Sequence, residues 1–173
     1  MEGRKVDKGK ERFTQPEKLR TFAEEVEIDG LPFIFSGEID PEINTVTLSL
    51  QIPNWQQELD GDSEVLVRAI NDGEVGYIEL SDGGEESDLY ITRIRSFIDC
   101  LPKTSSYRVG EVHVGRFLMN NALAYADMYG LSVSGFASAD GRLSNEEIYA
   151  WLERKGFSSP YESSKNPIRQ PRN

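Results

Sequence analysis

The order of a strand, a long helix and a second strand in the second half of the chain limits the fold most. Residues 89–98 are rich in β-branched and aromatic side chains, which predicts a strand. Residues 112–129 carry apolar side chains at helical spacing, and Gly130 follows where a left-handed cap would lie. Residues 131–137 alternate as a strand again. Two strands joined through a helix lie parallel if they share a sheet, so we predict a βαβ crossover.

The segments before this crossover predict antiparallel strands joined by tight turns. Residues 43–52 alternate between apolar and polar side chains, which is typical of a half-buried strand. The turn signals Asp29-Gly30 and Asp82-Gly83-Gly84 each precede a further apolar run. Residues 65–70 fit a strand and a helix equally well. The predicted fold class is therefore α/β, with a mixed, mainly antiparallel sheet.

A second helix is predicted after residue 144. Ser144 and Glu147 have the spacing of a capping box, in which the Ser144 hydroxyl accepts a hydrogen bond from the Glu147 N–H while the Glu147 carboxylate accepts one from Ser144. Gly156 ends this helix, and Phe157 is placed to pack on its last turn.

Charge is distributed unevenly over the chain, whose net charge is -11. Residues 21–100 are strongly acidic, and residues 101–173 are mildly basic. An acidic surface repels nucleic acid and attracts cationic partners, so we expect no nucleic acid as partner. The alternative is a solvated surface that only keeps the protein soluble. The polar ends predict a flexible basic arm at 1–20 and an extended tail at 158–173, which leaves 21–157 as a single domain.

The chain has one cysteine, Cys100, and one histidine, His113. These counts exclude an intramolecular disulfide, a multi-cysteine zinc cluster and a metal site that needs two histidines. No apolar run reaches the ~18 residues of a membrane-spanning helix, and the lysine-rich start lacks the apolar core of a secretory signal. We therefore expect a soluble, cytoplasmic protein without a membrane partner.

The start of the helix near residue 112 is the first candidate site. The free N–H groups and the dipole of a helix start attract phosphate. Gly115 would let a ligand approach the backbone closely, and Arg116 adds positive charge. The alternative is an ordinary helix start with a structural glycine.

A family resemblance begins at this helix. Gly115-Arg116-Phe117-Leu118 opens it and Tyr129-Gly130 ends it; a strand follows, and then Asn145, with ten residues between it and Gly156-Phe157. This layout resembles the GNAT superfamily of acyl-CoA-dependent N-acetyltransferases over roughly residues 75–157, and it implies a GNAT-like fold.

The resemblance also implies a function, the transfer of an acetyl group from acetyl-CoA to an amine of a basic substrate. The loop entering the helix would hold the pyrophosphate, and the pantetheine arm would pass between the two parallel strands, which splay apart. A backbone N–H near the end of the first of these strands would polarise the thioester carbonyl. The residues implied for binding acetyl-CoA are Phe97, Ile98, Val112, His113, Val114, Gly115, Arg116 and Asn145.

Some positions of the family's motifs hold other residues here. Glu111 and His113 stand where its phosphate loop has glycines, and Leu152 stands where its general acid, a tyrosine, usually lies. A leucine cannot protonate a leaving thiolate, so Tyr149 and His113 are the candidates for proton transfer. The alternative is a catalytically inactive GNAT-fold protein that acts as an acidic protein-interaction module, such as a viral accessory protein.

Residues 136–147 have a second interpretation as an EF-hand calcium loop. Residues that match positions 3, 5, 6, 8, 9 and 12 of such a loop are Ser138, Asp140, Gly141, Leu143, Ser144 and Glu147. Phe136 would then occupy the first position, where it offers no side-chain oxygen, and the preceding segment is β-like. A turn followed by a capped helix explains the same residues, so we predict no metal site.

Overall fold

The computed structural model describes residues 22–40, 42–55, 73–98, 101, 105–109, 113–135, 144–158 and 166–172. Within these ranges the chain forms one mixed, mostly antiparallel sheet with helices, as predicted. The strands, in sheet order, are β1 (Phe22–Ile28), β2 (Leu31–Asp40), β3 (Thr45–Gln51), β4 (Glu74–Asp82), β5 (Leu89–Ser96), β6 (Val133–Gly135) and β7 (Ile168–Arg169). The helices are α1 (Ser106–Val109), a single turn, α2 (Val114–Met128) and α3 (Asn145–Arg154).

The first five strands form an antiparallel meander. The predicted turn Asp29-Gly30 joins β1 to β2, with φ angles of 52° and 80°. Two successive positive φ angles are typical of a type I′ turn, whose twist matches that of the flanking strands. Along β3, Val46, Leu48 and Leu50 are buried, so the alternation over residues 43–52 correctly predicts a strand.

The predicted βαβ crossover is confirmed. β5 and β6 are parallel neighbours, paired from Leu89 with Val133 to Ile91 with Gly135, and α2 lies between them in sequence. α2 packs on the sheet through a buried face, and its Phe117 ring meets Phe35 of β2 edge-on at a centroid distance of 5.2 Å. The buried residues of α2 are Val114, Leu118, Met119, Ala122, Leu123 and Ala126.

α2 ends in the way the sequence predicts. Gly130 has a φ of 63°, and its N–H donates to the Asp127 carbonyl oxygen at 3.0 Å. The Leu131 N–H donates to the Ala126 carbonyl oxygen at 2.8 Å, which completes a Schellman motif. Leu131 is buried, so the chain turns directly from the helix into the core before β6.

The predicted capping box of α3 is also confirmed. The Ser144 N–H donates to Glu147 Oε2 at 2.8 Å, and the Glu147 N–H donates to Ser144 Oγ at 3.3 Å. At the other end Gly156 has a φ of 92°, the Phe157 N–H donates to the Leu152 carbonyl oxygen at 3.2 Å, and the Phe157 ring is buried.

Ser144→Ala is expected to lower the free energy of unfolding by about 1 kcal/mol, because one N–H of the first turn loses its acceptor. Ser144→Asp, which keeps an acceptor at the same place, should stay close to wild type. Urea denaturation midpoints of the three proteins test this. An alanine variant with an unchanged midpoint would show that the cap adds nothing to stability.

The sheet continues beyond residue 157, the predicted end of the domain. β7 pairs antiparallel with β6, with Val133 opposite Arg169 and Ser134 opposite Ile168. The segment 166–172 is therefore part of the fold and not a tail. An ion pair of Arg169 holds this segment in place, although the proline- and serine-rich composition predicts a tail. The predicted arm at 1–20 and the ambiguous segment 65–70 lie outside the described residues.

In the part of the chain that the structure describes, no helix combines the length and the apolar character that crossing a membrane requires.

Candidate functional site

The start of α2 lies over the end of β5 because a glycine of β4 lets it approach. Gly76 pairs with Ser96, the last residue of β5. A Cβ atom on Gly76 would overlap the Val114 side chain and would lie 2.7 Å from the Arg95 carbonyl oxygen. Val114 is buried, so the first turn of α2 is fixed against the sheet at this point.

The first turn of α2 is the part of the structure where the sequence predicts a phosphate site. His113 is the N-cap, its side chain makes no capping hydrogen bond, and the turn contains no acidic residue. A Cβ atom on Gly115 would have no neighbour within 4 Å among the described residues, so the backbone there is open to a ligand. Arg116 is exposed and adds a positive charge. His113, Val114, Gly115 and Arg116 are among the residues that the sequence predicts for a phosphate group, and Val112, also predicted, lies outside the described residues.

Hydrogen bonds hold β5 and β6 together where the two strands begin. The Asp88 carboxylate accepts hydrogen bonds from the Ser132 N–H at 2.8 Å and from the Ser132 hydroxyl at 2.9 Å. The hydroxyls of Ser87 and Ser134 lie 2.6 Å apart, and the Leu89 N–H donates to the Ser132 carbonyl oxygen at 2.9 Å. The parallel pair is thus fixed at its N-terminal end.

β5 carries a bulge directly after its described pairing with β6. The last described pair of these strands is Ile91 with Gly135. A bulge follows this pair directly, because Leu80 of β4 is opposite Ile91 and Glu79 is opposite Arg93. A bulge bends a strand, so β5 changes direction just after Ile91. Residues 136–143 lie outside the described residues, so the predicted splaying of the two strands stays a prediction.

The resemblance implies that a backbone N–H of Phe97 or Ile98 polarises the thioester carbonyl. The Phe97 N–H donates to the Val75 carbonyl oxygen at 2.7 Å, so it belongs to the sheet and is not available to a substrate. Ile98 follows Phe97, and its side chain is buried in the core. The Ile98 N–H therefore remains the candidate.

The candidates for proton transfer lie on two helices. Exposed His113 precedes α2, and half-buried Tyr149 lies in the second turn of α3. Asn145, the first residue of α3, is exposed. Leu152 is buried against the core, so it holds α3 in place and contributes nothing to proton transfer.

The EF-hand interpretation has two residues inside the described ranges. Ser144 and Glu147 use their side-chain oxygens in the capping box of α3. Ser138, Asp140, Gly141, Leu143 and Phe136 lie outside these ranges. Among the residues that the structure describes, no group of three or more His, Cys, Asp or Glu side chains could hold a metal ion.

Sequence reasoning misses a buried ion pair between α2 and β7. Arg169 is 3% exposed, and its Nη1 and Nη2 atoms donate to the two carboxylate oxygens of Asp127 at 2.8 and 2.7 Å. The Arg172 N–H also donates to Asp127, at 2.8 Å. The hydrogen bonds from Arg169 hold the pKa of Asp127 below its usual range, although partial burial opposes them. One sequence signal exists, since an aspartate in the last turn of a helix opposes the helix dipole and needs a cationic partner.

Comparisons of the chain with protein-family models, with curated proteins and with solved structures find no match. The functional assignment therefore depends on the motif and on the geometry of the described residues.

Proposed function

We propose that the protein is a GNAT-like acyltransferase that binds acetyl-CoA at the start of α2 and transfers its acetyl group to an amine. One observation carries this proposal: the first turn of α2, which has no side-chain cap and in which Gly115 leaves space beside the backbone, lies over the end of β5. A helix start placed beside a bent parallel strand offers phosphate-binding donors next to room for an extended arm.

The N–H groups of the first turn and the exposed Arg116 guanidinium would bind the pyrophosphate. The Ile98 N–H is the donor assigned to the thioester oxygen, whose negative charge grows as the amine attacks. The amine nitrogen forms a bond to the acetyl carbon, the carbon–sulfur bond breaks, and a proton passes from the amine to the leaving thiolate. His113 or Tyr149 would carry this proton.

The acceptor would be an amine of a basic small molecule or of a basic protein, which attacks as the neutral amine after it has lost its extra proton to solvent. The net charge of -11 favours such a substrate, and β1, β2 and the turn that follows them carry many exposed acidic side chains. Acidic residues exposed in this region are Glu24, Glu25, Glu27, Glu38, Asp40 and Glu42.

Calorimetric titration with acetyl-CoA tests the binding site. Gly115→Glu should weaken binding at least tenfold, because a side chain and a negative charge would fill the proposed phosphate site. Ile43→Glu is the matched control: it adds the same charge at a side chain that is 67% exposed in the turn between β2 and β3, and it should bind like wild type.

Gly115→Ala separates a ligand site from an ordinary helix start. Alanine is the better helix former, and its Cβ meets nothing, so the variant should be more stable by about 0.5 kcal/mol. If the backbone at Gly115 contacts pyrophosphate, the same variant should also bind acetyl-CoA more weakly. A variant that gains stability and keeps full affinity would place the ligand elsewhere.

Buried Leu152 favours a second candidate, an acidic interaction module on the same fold, because no tyrosine acid stands at that position. Mass spectrometry of an amine or basic peptide incubated with acetyl-CoA distinguishes the two. Acetyl-CoA binding with an acetylated product supports the acyltransferase. A titration without heat at millimolar acetyl-CoA rejects it and leaves the interaction module.

A further inference from the structure

A basic pocket lies between α2, the end of α3 and the C-terminal segment that contains β7. Its volume is about 290 Å³, which suits a small ligand group rather than a macromolecular surface. The residues that line it are Asn120, Leu123, Ala124, Asp127, Arg154, Lys155, Arg169 and Arg172.

The pocket contains four cationic side chains and one carboxylate. That carboxylate, of Asp127, already binds the buried Arg169 guanidinium through both oxygens. Lys155 donates from its ammonium group to the Asn120 side-chain oxygen. Arg154 is exposed and makes no hydrogen bond or ion pair with another described residue. The pocket is therefore a site of excess positive charge in a protein whose net charge is -11.

The Lys155 ammonium group lies close to several of these positive charges. Burial lowers its pKa, and the neighbouring charges of Arg116, Arg154 and Arg172 lower it further. The Lys155 carbonyl oxygen also positions both arginine side chains, because it accepts hydrogen bonds from Arg169 Nε at 3.0 Å and from Arg172 Nη2 at 3.5 Å. The positively charged side chains repel one another in this pocket. A bound anion would reduce that repulsion.

We propose that this pocket binds a phosphate monoester of a small molecule. A dianion with three acceptor oxygens matches several convergent cationic donors, and charge-assisted hydrogen bonds to phosphate are among the strongest that side chains make. The acidic surface of the chain disfavours nucleic acid as the source of this phosphate. The proposal does not depend on the acyltransferase assignment, because it concerns the end of α3 and not the start of α2.

Calorimetric titration with inorganic phosphate, at matched ionic strength against chloride, tests the pocket. Phosphate should bind the wild type, and Lys155→Gln and Arg154→Gln should each weaken that binding about tenfold. Arg93→Gln is the control, since it removes one positive charge from an exposed residue of β5 and should leave the affinity unchanged. Circular dichroism of each variant checks that the fold is intact. Wild-type binding no stronger for phosphate than for chloride, or unchanged affinity in folded Lys155→Gln, would overturn the proposal.

Two sources of the phosphate monoester are distinguished by comparing CoA with dephospho-CoA. If Lys155→Gln weakens the binding of inorganic phosphate and of CoA but not that of dephospho-CoA, the pocket holds the ribose phosphate of CoA. If the variant weakens only the binding of inorganic phosphate, the pocket binds a different phosphorylated molecule. Both results support a phosphate site.

Discussion

Asp127→Ala should lower the free energy of unfolding by about 3 kcal/mol, because it leaves the guanidinium of Arg169 buried without its counter-charge. The variant also removes the acceptor of the Arg172 N–H. Replacing both partners, as in Asp127→Ala with Arg169→Met, should cost much less than the sum of the single variants, since no unpaired charge stays buried. Denaturant unfolding of the four proteins measures this difference, and additive costs would show that the pair does not act as a unit.

The same pair makes stability depend on pH. The pKa of Asp127 in the folded protein lies below its unfolded value, so its contribution is complete above the usual aspartate range. That contribution is lost as the pH falls from about 4 through the lower folded pKa. The stability difference between wild type and Asp127→Ala should therefore be constant near neutral pH and should shrink in acid. Melting temperatures recorded down to acidic pH test this, and a difference that grows in acid would contradict it.

Gly76→Ala is expected to cost about 2 kcal/mol, because the added methyl group meets the Val114 side chain on one side and the Arg95 carbonyl oxygen on the other. Relief of this contact must move the first turn of α2 away from the sheet. The variant should therefore also weaken acetyl-CoA binding under the proposed function.

Two comparisons test the cause of this loss. Gly115→Ala makes the same change where the new Cβ has no neighbour, and it should cost nothing. The double variant Gly76→Ala with Val114→Ala removes the clashing methyl groups, so its cost should be at least 0.5 kcal/mol below the sum of the single variants, a coupling typical of contacting residues. Additive costs would mean that Val114 does not set the position of α2.

The features that the sequence predicts well are those encoded by neighbouring residues. The Asp29-Gly30 turn, the Ser144–Glu147 capping box and the glycine cap at Gly130 each need only a few adjacent positions. The parallel pairing of β5 with β6 follows from element order and the crossover rule. These local and topological signals together give the mixed sheet and locate the start of α2.

The features that the sequence does not predict depend on contacts between distant residues. Arg169 and Asp127 are 42 positions apart, so the composition around β7 resembles a tail although its arginine is buried. The hydrogen bond that occupies the Phe97 N–H depends on the position of Val75 beside it, which a single sequence does not reveal. The basic pocket likewise joins side chains from three segments that lie apart in the chain.

The ion pair between α2 and β7 has a consequence for folding during synthesis. Asp127 leaves the ribosome 42 positions before Arg169, and β6 before its neighbour β7. A nascent chain that ends between them can form the crossover, but α2 then carries an unpaired carboxylate at its unfavourable end. The crossover can therefore form before β7 joins the sheet, whereas the contact of α2 with β7 waits until Arg169 has left the ribosome.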